Sequence, residues 1–345
     1  MHTRVSSGPN LPWGSRFVNS HVLLVEGSEI AGIIPAWKHI RFDAVDVLFV
    51  GPFSVKVGGT DFILGGDGSN LNLNARFEWV VRAARTQNSK IKIVVVQYMG
   101  ESDNQDNRDF KSFGTDETKI TRYAKSVASF VEGYYNRTLP ALSGSGTVSA
   151  RIDGYDVDVE GSNLSENLPR VLAAVRRELE PCFSVSITPF RAEFLDSSIA
   201  SSCDYINVQN YDGGAETEPE DYLAAVKGFK RERLVWGLHS ERPWVNNVAC
   251  QTFEGVKSKV QEVIDGKAPG IWNWRLNSDN YVYENLFQVW LYNAVHGTRL
   301  YTLVDDSQLE YIVERYWQKG GRRGEIGSDM PILSLEDLVK GVSPD

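Results

Sequence analysis

The sequence predicts an α/β fold, a (β/α)8 TIM barrel, and three observations carry that expectation. Eight short runs rich in Val, Ile, Tyr and Trp recur along the chain. Several are nearly continuous in apolar residues, which marks strands covered on both faces, as in parallel sheets. Helical patterns, with apolar residues three and four apart, lie between most of these runs. The competing architecture, a doubly wound open sheet, normally carries a glycine-rich turn after its first strand. Neither G-x-G-x-x-G nor a Walker A stretch occurs here.

Taken in order, the strands are read at 30–37, 45–53, 90–98, 152–160, 183–190, 205–212, 233–239 and 269–276. The helices are read at 73–86, 120–136, 165–179, 219–229, 252–264 and 281–295, and Pro219 suits a first helical turn. The stretch GGDGS at 65–69 lacks a Lys-Ser/Thr ending and reads as a loop. Only a loop and one helix separate the seventh and eighth strands, so no α+β insertion is expected between them. Residues 1–299 form the barrel with an N-terminal extension. Residues 300–345 read as a C-terminal extension with one helix, 307–317, and a polar linker. A chain of 345 residues with 42% hydrophobic content has ample material for such a core.

Charge and composition narrow the function. A net charge of −9 makes the chain a poor candidate for coating nucleic acid or an anionic membrane. No run of about 18 apolar residues suggests a membrane span. The N-terminus lacks the apolar region of a signal peptide, so the sequence as written is expected in the cytoplasm, or secreted if a leader has been lost. Cys182, Cys203 and Cys250 are far apart and odd in number, and form neither a metal pattern nor a disulfide framework. The Asn-x-Ser/Thr sequons at Asn136 and Asn163 read as chance matches. His39, His239 and His296 are isolated and read as structural or exposed. Neither a metal nor a cofactor is expected. A serine hydrolase finds no support, since no Gly-x-Ser-x-Gly elbow exists.

The informative stretch is RIDGYDVDVEG, residues 151–161. On a strand, side chains alternate faces, so Asp156, Asp158 and Glu160 share one face, and Tyr155, Val157 and Val159 the other. In a barrel the apolar set meets the helices and the acids meet the axis. Carboxylates stacked at intervals of about 6–7 Å repel one another in a low-dielectric interior. No structural role offsets that cost easily. Neither a calcium loop nor a solvated edge strand suits the fourth of eight strands. Glu160 also falls at the C-terminal end of its strand, where barrel enzymes keep their chemistry.

The pattern Asp153-Gly154-Tyr155-Asp156-Val157-Asp158-Val159-Glu160 resembles the D-G-x-D-x-D-x-E signature of glycoside hydrolase family 18, the chitinases and endo-β-N-acetylglucosaminidases. VQNYD on the sixth strand is similar to the family's Met/Gln-x-Tyr-Asp segment, with Gln209, Tyr211 and Asp212 in the matching places. GIWNW on the eighth strand offers Trp274 as the tryptophan that floors the sugar site. The resemblance spans roughly residues 30 to 295. It departs on the third strand, where the family's Ser-x-Gly-Gly is replaced by a segment ending Tyr98-Met99-Gly100. The resemblance implies a retaining glycosidase acting on β-1,4-linked N-acetylglucosamine, in chitin fragments or the N-glycan core. Glu160 would be the general acid, Asp158 would orient the substrate's acetamido group, Asp156 would share a proton with Asp158, and Tyr211 would hold the acetamido oxygen. Asp153, Gln209, Asp212 and Trp274 would bind the sugar, with Trp37, Tyr98 and Trp244 as further aromatic contacts. Two other readings remain open at this point: a sugar-binding lectin without turnover, and a family-18-like barrel recruited to intracellular small-molecule chemistry.

Overall fold

The computed structural model describes residues 16–25, 37, 40–65, 72–99, 110–160, 167–211, 217–240, 252–278, 281–303 and 339–340. Eight parallel strands close into a barrel: β1 (Phe17–Leu23), β2 (Val47–Val55), β3 (Lys92–Met99), β4 (Gly154–Val159), β5 (Ser184–Pro189), β6 (Tyr205–Asn207), β7 (Leu234–His239) and β8 (Gly270–Trp274). Each pairs with its sequence neighbour, and β1 pairs with both β2 and β8, which leaves the ring without an edge. A short antiparallel strand, Phe62–Leu64, adds to the far end of β2.

The first strand corrects the sequence reading. It is Phe17–Leu23, FVNSHVL, and not 30–37. Of the latter, residues 30–36 lie outside the described residues, and Trp37 is helical. The polar residues Asn19, Ser20 and His21 interrupt the apolar run of β1, although all three are buried. The other seven strands fall where the sequence places them, with β6 shorter than expected.

The helices are α1 (Leu73–Gln87), α2 (Glu117–Gly133), α3 (Leu168–Glu178), α4 (Pro219–Ala225), α5 (Phe253–Ile264) and α6 (Tyr281–His296). Four of them start at side-chain caps. Asn72 accepts from Ala75 N, Asp116 from Thr118 N and Lys119 N, and Thr252 from Gly255 N. Glu218 and Asp221 form a capping box at α4. Of the described residues between β5 and β6, only short 3-10 turns are helical, Ala192–Phe194 and Ser197–Ile199. Between β7 and β8 the described residues hold α5 alone. None of the described helices is long and apolar enough to cross a membrane. Thr302–Leu303 pairs antiparallel with Val339–Lys340. The helix read at 307–317 lies outside the described residues.

Apolar packing divides into an outer layer between strands and helices and an inner plug along the axis. The plug contains Phe17, Val47, Phe49, Val94, Val96, Tyr205, Val235 and Trp272. It fills the lower half of the barrel, so the polar inward residues of β4, β5 and β6 gather above it.

Candidate active site

Alternation along β4 separates its two faces as the sequence predicts. Tyr155 points outward and hydrogen-bonds the hydroxyl of Tyr123 on α2, at 2.9 Å. Asp156 points inward and accepts from Ser186 Oγ at 2.5 Å and Thr188 Oγ1 at 2.9 Å, both on β5. Thr188 Oγ1 in turn accepts from Asn207 Nδ2 at 2.9 Å. Asp156 is fully buried, and burial pushes its carboxyl up to about 7 against the opposing pull of the two hydroxyls.

One step higher, Asp158 is also buried, and Glu160 lies half-buried just past the strand. Burial first, then the adjacent Glu160 charge, raise the Asp158 carboxyl well above its usual range. Two adjacent carboxyls in this setting cannot both ionise cheaply, which favours the protonated form of Asp158. The Asp156 charge adds to that rise, after Glu160. Asp156 itself accepts from Ser186 and Thr188, and Asp158 accepts from Gln209.

Gln209 follows β6 and turns its amide into the acids. Its Nε2 lies 3.1 Å from Asp158 Oδ1, 3.0 Å from Glu160 Oε1 and 3.1 Å from Thr188 O. The sequence reading makes Gln209 a sugar contact. In the structure its amide orients the acid pair. Tyr211, two residues on, lies nearly parallel to the His239 and Trp272 rings, each centroid 5.6 Å away. Trp274 is half-buried at the end of β8, 6.0 Å from Trp272, with the His21 ring edge-on at 4.7 Å. Tyr98, next to last in β3, is in register with Asp158 and is half-buried. The mouth at the C-terminal ends of the strands thus gathers Tyr98, Asp158, Glu160, Gln209, Tyr211 and Trp274.

Two expected contacts lie elsewhere. Asp153 sits below β4, where Arg85 donates to it at 2.9 Å, Ile93 N at 3.0 Å, and Arg151 pairs with it at 3.1 Å. Seven residues of extended chain separate it from Glu160, about 23 Å at strand rise, so it belongs to the floor of the barrel. Trp37 is 3% exposed and packs on Trp79 at 6.0 Å with the Arg76 guanidinium over its ring. That makes it a core residue of the outer layer. Asp212 and Trp244 lie outside the described residues.

No protein-family model matches the sequence, and neither does any curated protein. Solved structures do match. A GH18 chitinase from Cycas revoluta in complex with (GlcNAc)3 aligns at 16% identity and a TM-score of 0.59, over 79% of this chain and 98% of that one. A chitinase-like agglutinin from Robinia pseudoacacia aligns at 12% identity and 0.57, over 80% and 99%. A class V chitinase from Nicotiana tobaccum aligns at 12% identity and 0.55, over 81% and 98%. The fold is that of glycoside hydrolase family 18. These likenesses to family 18 structures include both chitinases and a lectin, so they speak for the barrel and not for turnover.

Beyond the residues anticipated, the barrel brings three others to the mouth. His21 is 1% exposed, and burial together with the Arg275 charge lowers its imidazole to about 3, so it is neutral. His239 is equally buried and lies against Tyr211. Arg275 is fully buried, with its guanidinium 5.5 Å from the Trp274 ring centre. His239 is the one that sequence offers a signal for, since it closes a well-marked strand at the end where barrel sites form. His21 lay on the strand that the periodicity missed. Among the described residues no group of three or more His, Cys, Asp and Glu could hold a metal ion.

Proposed function

We propose that this chain is a retaining glycosidase that hydrolyses β-1,4-linked N-acetylglucosamine with the substrate's own acetamido group as nucleophile. The observation that carries the reading is the adjacent Asp158 and Glu160 carboxyls, both held by the Gln209 amide at the open end of β4. In the first step the acetamido carbonyl oxygen attacks the anomeric carbon. The glycosidic bond breaks, and its oxygen leaves with the proton from Glu160. Asp158 accepts the acetamido N–H and steadies the positive charge of the oxazolinium ion. In the second step Glu160 takes a proton from water, the water oxygen bonds to the anomeric carbon, and the ring opens to regenerate the acetamido group. Trp274 supplies a rigid apolar floor for the sugar. The chitooligosaccharides named with the Cycas revoluta chitinase support the choice of substrate class.

Glu160→Gln keeps size and hydrogen bonding and removes the transferable proton. Turnover of chitooligosaccharides and of a high-mannose glycopeptide should fall about 10²–10⁴-fold, while (GlcNAc)3 still binds. Near-normal turnover in that variant would remove Glu160 from the reaction. Wild-type binding of (GlcNAc)3 with no cleavage of either substrate would make the chain a lectin.

A further inference from the structure

Lys259 stands on α5, outside the barrel, and its ammonium reaches between β6 and β7. It donates to the Asn210 carbonyl oxygen at 3.4 Å, to Asn210 Oδ1, and to the Gly237 carbonyl oxygen at 3.3 Å. Its Nζ also lies 5.0 Å from the centre of the Trp236 ring. An ammonium has three N–H donors, and each finds an acceptor here. Two of the three acceptors belong to the residue immediately before Tyr211. The Asn210 side chain does more: its Nδ2 donates to Thr217 O at 2.6 Å, which ties together the chain on either side of 211–216. Lys259 therefore grips the point from which the Tyr211 backbone departs, and it grips the β7 backbone at the same time.

We infer that Lys259 is a positioning residue: by clamping Asn210 to β7 it fixes where Tyr211 presents its hydroxyl in the mouth. The inference rests on the glycosidase reading for its consequence in turnover, but the clamp itself is independent of any substrate. The groups facing the ammonium are acidic and cationic in turn. Glu218 at the start of α4 and Glu262 on α5 favour its charge, and Glu262 is itself paired with Arg231 at 3.2 Å. Burial dominates nonetheless and lowers the Lys259 ammonium to about 8. A neutral amine has two N–H groups for three oxygens, so the clamp loosens as pH rises through that value.

Two readouts test this on the full chain. The first needs no substrate. Lys259→Met should speed amide hydrogen exchange at residues 208–211, 217 and 218 about tenfold, with the remaining strands unchanged. Wild type should show the same local loosening between pH 7 and 9 after correction for the intrinsic exchange rate. Lys259→Arg, which keeps a cation and several donors at all these pH values, should suppress both effects. Unchanged exchange in Lys259→Met, or loosening spread over the whole barrel, overturns the clamp. The second readout is turnover of chitooligosaccharides. Lys259→Met should lose about 10–100-fold in kcat with KM changed less than about threefold, and Lys259→Arg should recover most of it. Local loosening without a kcat loss, in a chain whose Glu160→Gln variant is inactive, overturns the positioning role and leaves the site reading intact. If wild type cleaves nothing, the site reading fails, and the exchange measurement still decides whether the clamp exists.

Discussion

Asp156 has a fully buried carboxyl whose hydrogen-bond partners are two neutral hydroxyls, Ser186 and Thr188. With its folded value raised from 3.8 to about 7, the folded state holds a proton that the unfolded chain has already released over that interval. Stability from this group is present below the unfolded value and is lost as pH rises toward 7; above 7 the loss is constant. The interval corresponds to a few kcal/mol by the usual conversion. Asp156→Asn removes the titration. Its stability relative to wild type should therefore be greater at pH 8 than at pH 4, measured by urea denaturation at both values. A difference independent of pH would show that Asp156 is not the titrating acid. That such an acid exists was legible in the sequence, because a period of two exposes Asp156, Asp158 and Glu160 as one face. Which partners each of the three takes up was not. The answer depends on hydroxyls from β5 and an amide from beyond β6, and strand periodicity carries no information about partners across the barrel.

At the scale of elements, the close approach of β7 to the segment after β6 is what allows one lysine to hold both. A Cβ on Gly237 would fall on the Val208 carbonyl oxygen, 2.9 Å from the Val208 carbonyl carbon and 3.0 Å from Asn210 N. All three atoms are backbone and cannot rotate away. A Cβ on Gly154 would meet the Ser184 hydroxyl, a side chain, and the Ser184 carbonyl oxygen at 3.0 Å. Gly237→Ala should therefore cost more stability than Gly154→Ala, about 1–3 kcal/mol or beyond, and should disturb Tyr211 directly. Thermal unfolding of the two variants checks the order, and an equal or reversed order would mean that the strands separate freely. Elements were the most legible level of this protein. All six described helices and seven barrel strands lie within a few residues of their sequence positions. The exception, β1, has a physical cause: Asn19 and His21 face the barrel interior, so a strand buried on both sides does not read as apolar. Lys259 was illegible for a related reason, since a lone lysine on an amphipathic helix ordinarily marks the solvent face.

At the scale of the whole molecule, the barrel limits which nucleophile the chemistry can use. A retaining glycosidase of the two-carboxylate kind needs a second carboxyl about 5 Å from the acid, across the sugar. The acids of β4 are already committed, Asp156 to hydroxyls below and Asp158, beside Glu160, to the Gln209 amide. The described inward residues that close the other seven strands are His21, Gly51, Tyr98, Thr188, Gln209, His239 and Trp274, and none is a carboxylic acid. Among these described strand ends the mouth therefore holds Asp158 and Glu160 and no separate carboxylate. On the proposed reading the substrate's acetamido oxygen would fill the role of nucleophile, and the site would then be complementary to the oxazolinium ion more than to the sugar. A thiazoline mimic of that ion should bind at least about 10²-fold more tightly than the parent sugar. Substrates with a free amine or a hydroxyl at C2 should be inert. Tyr211→Phe should weaken the mimic by about 0.5–1.5 kcal/mol, the cost of one neutral hydrogen bond, with less effect on the parent sugar. Calorimetry on wild type and Tyr211→Phe measures each quantity. Thiazoline binding no tighter than the parent sugar, together with cleavage of a C2-hydroxyl substrate, would require a carboxylate nucleophile from outside the described residues and would rule substrate assistance out.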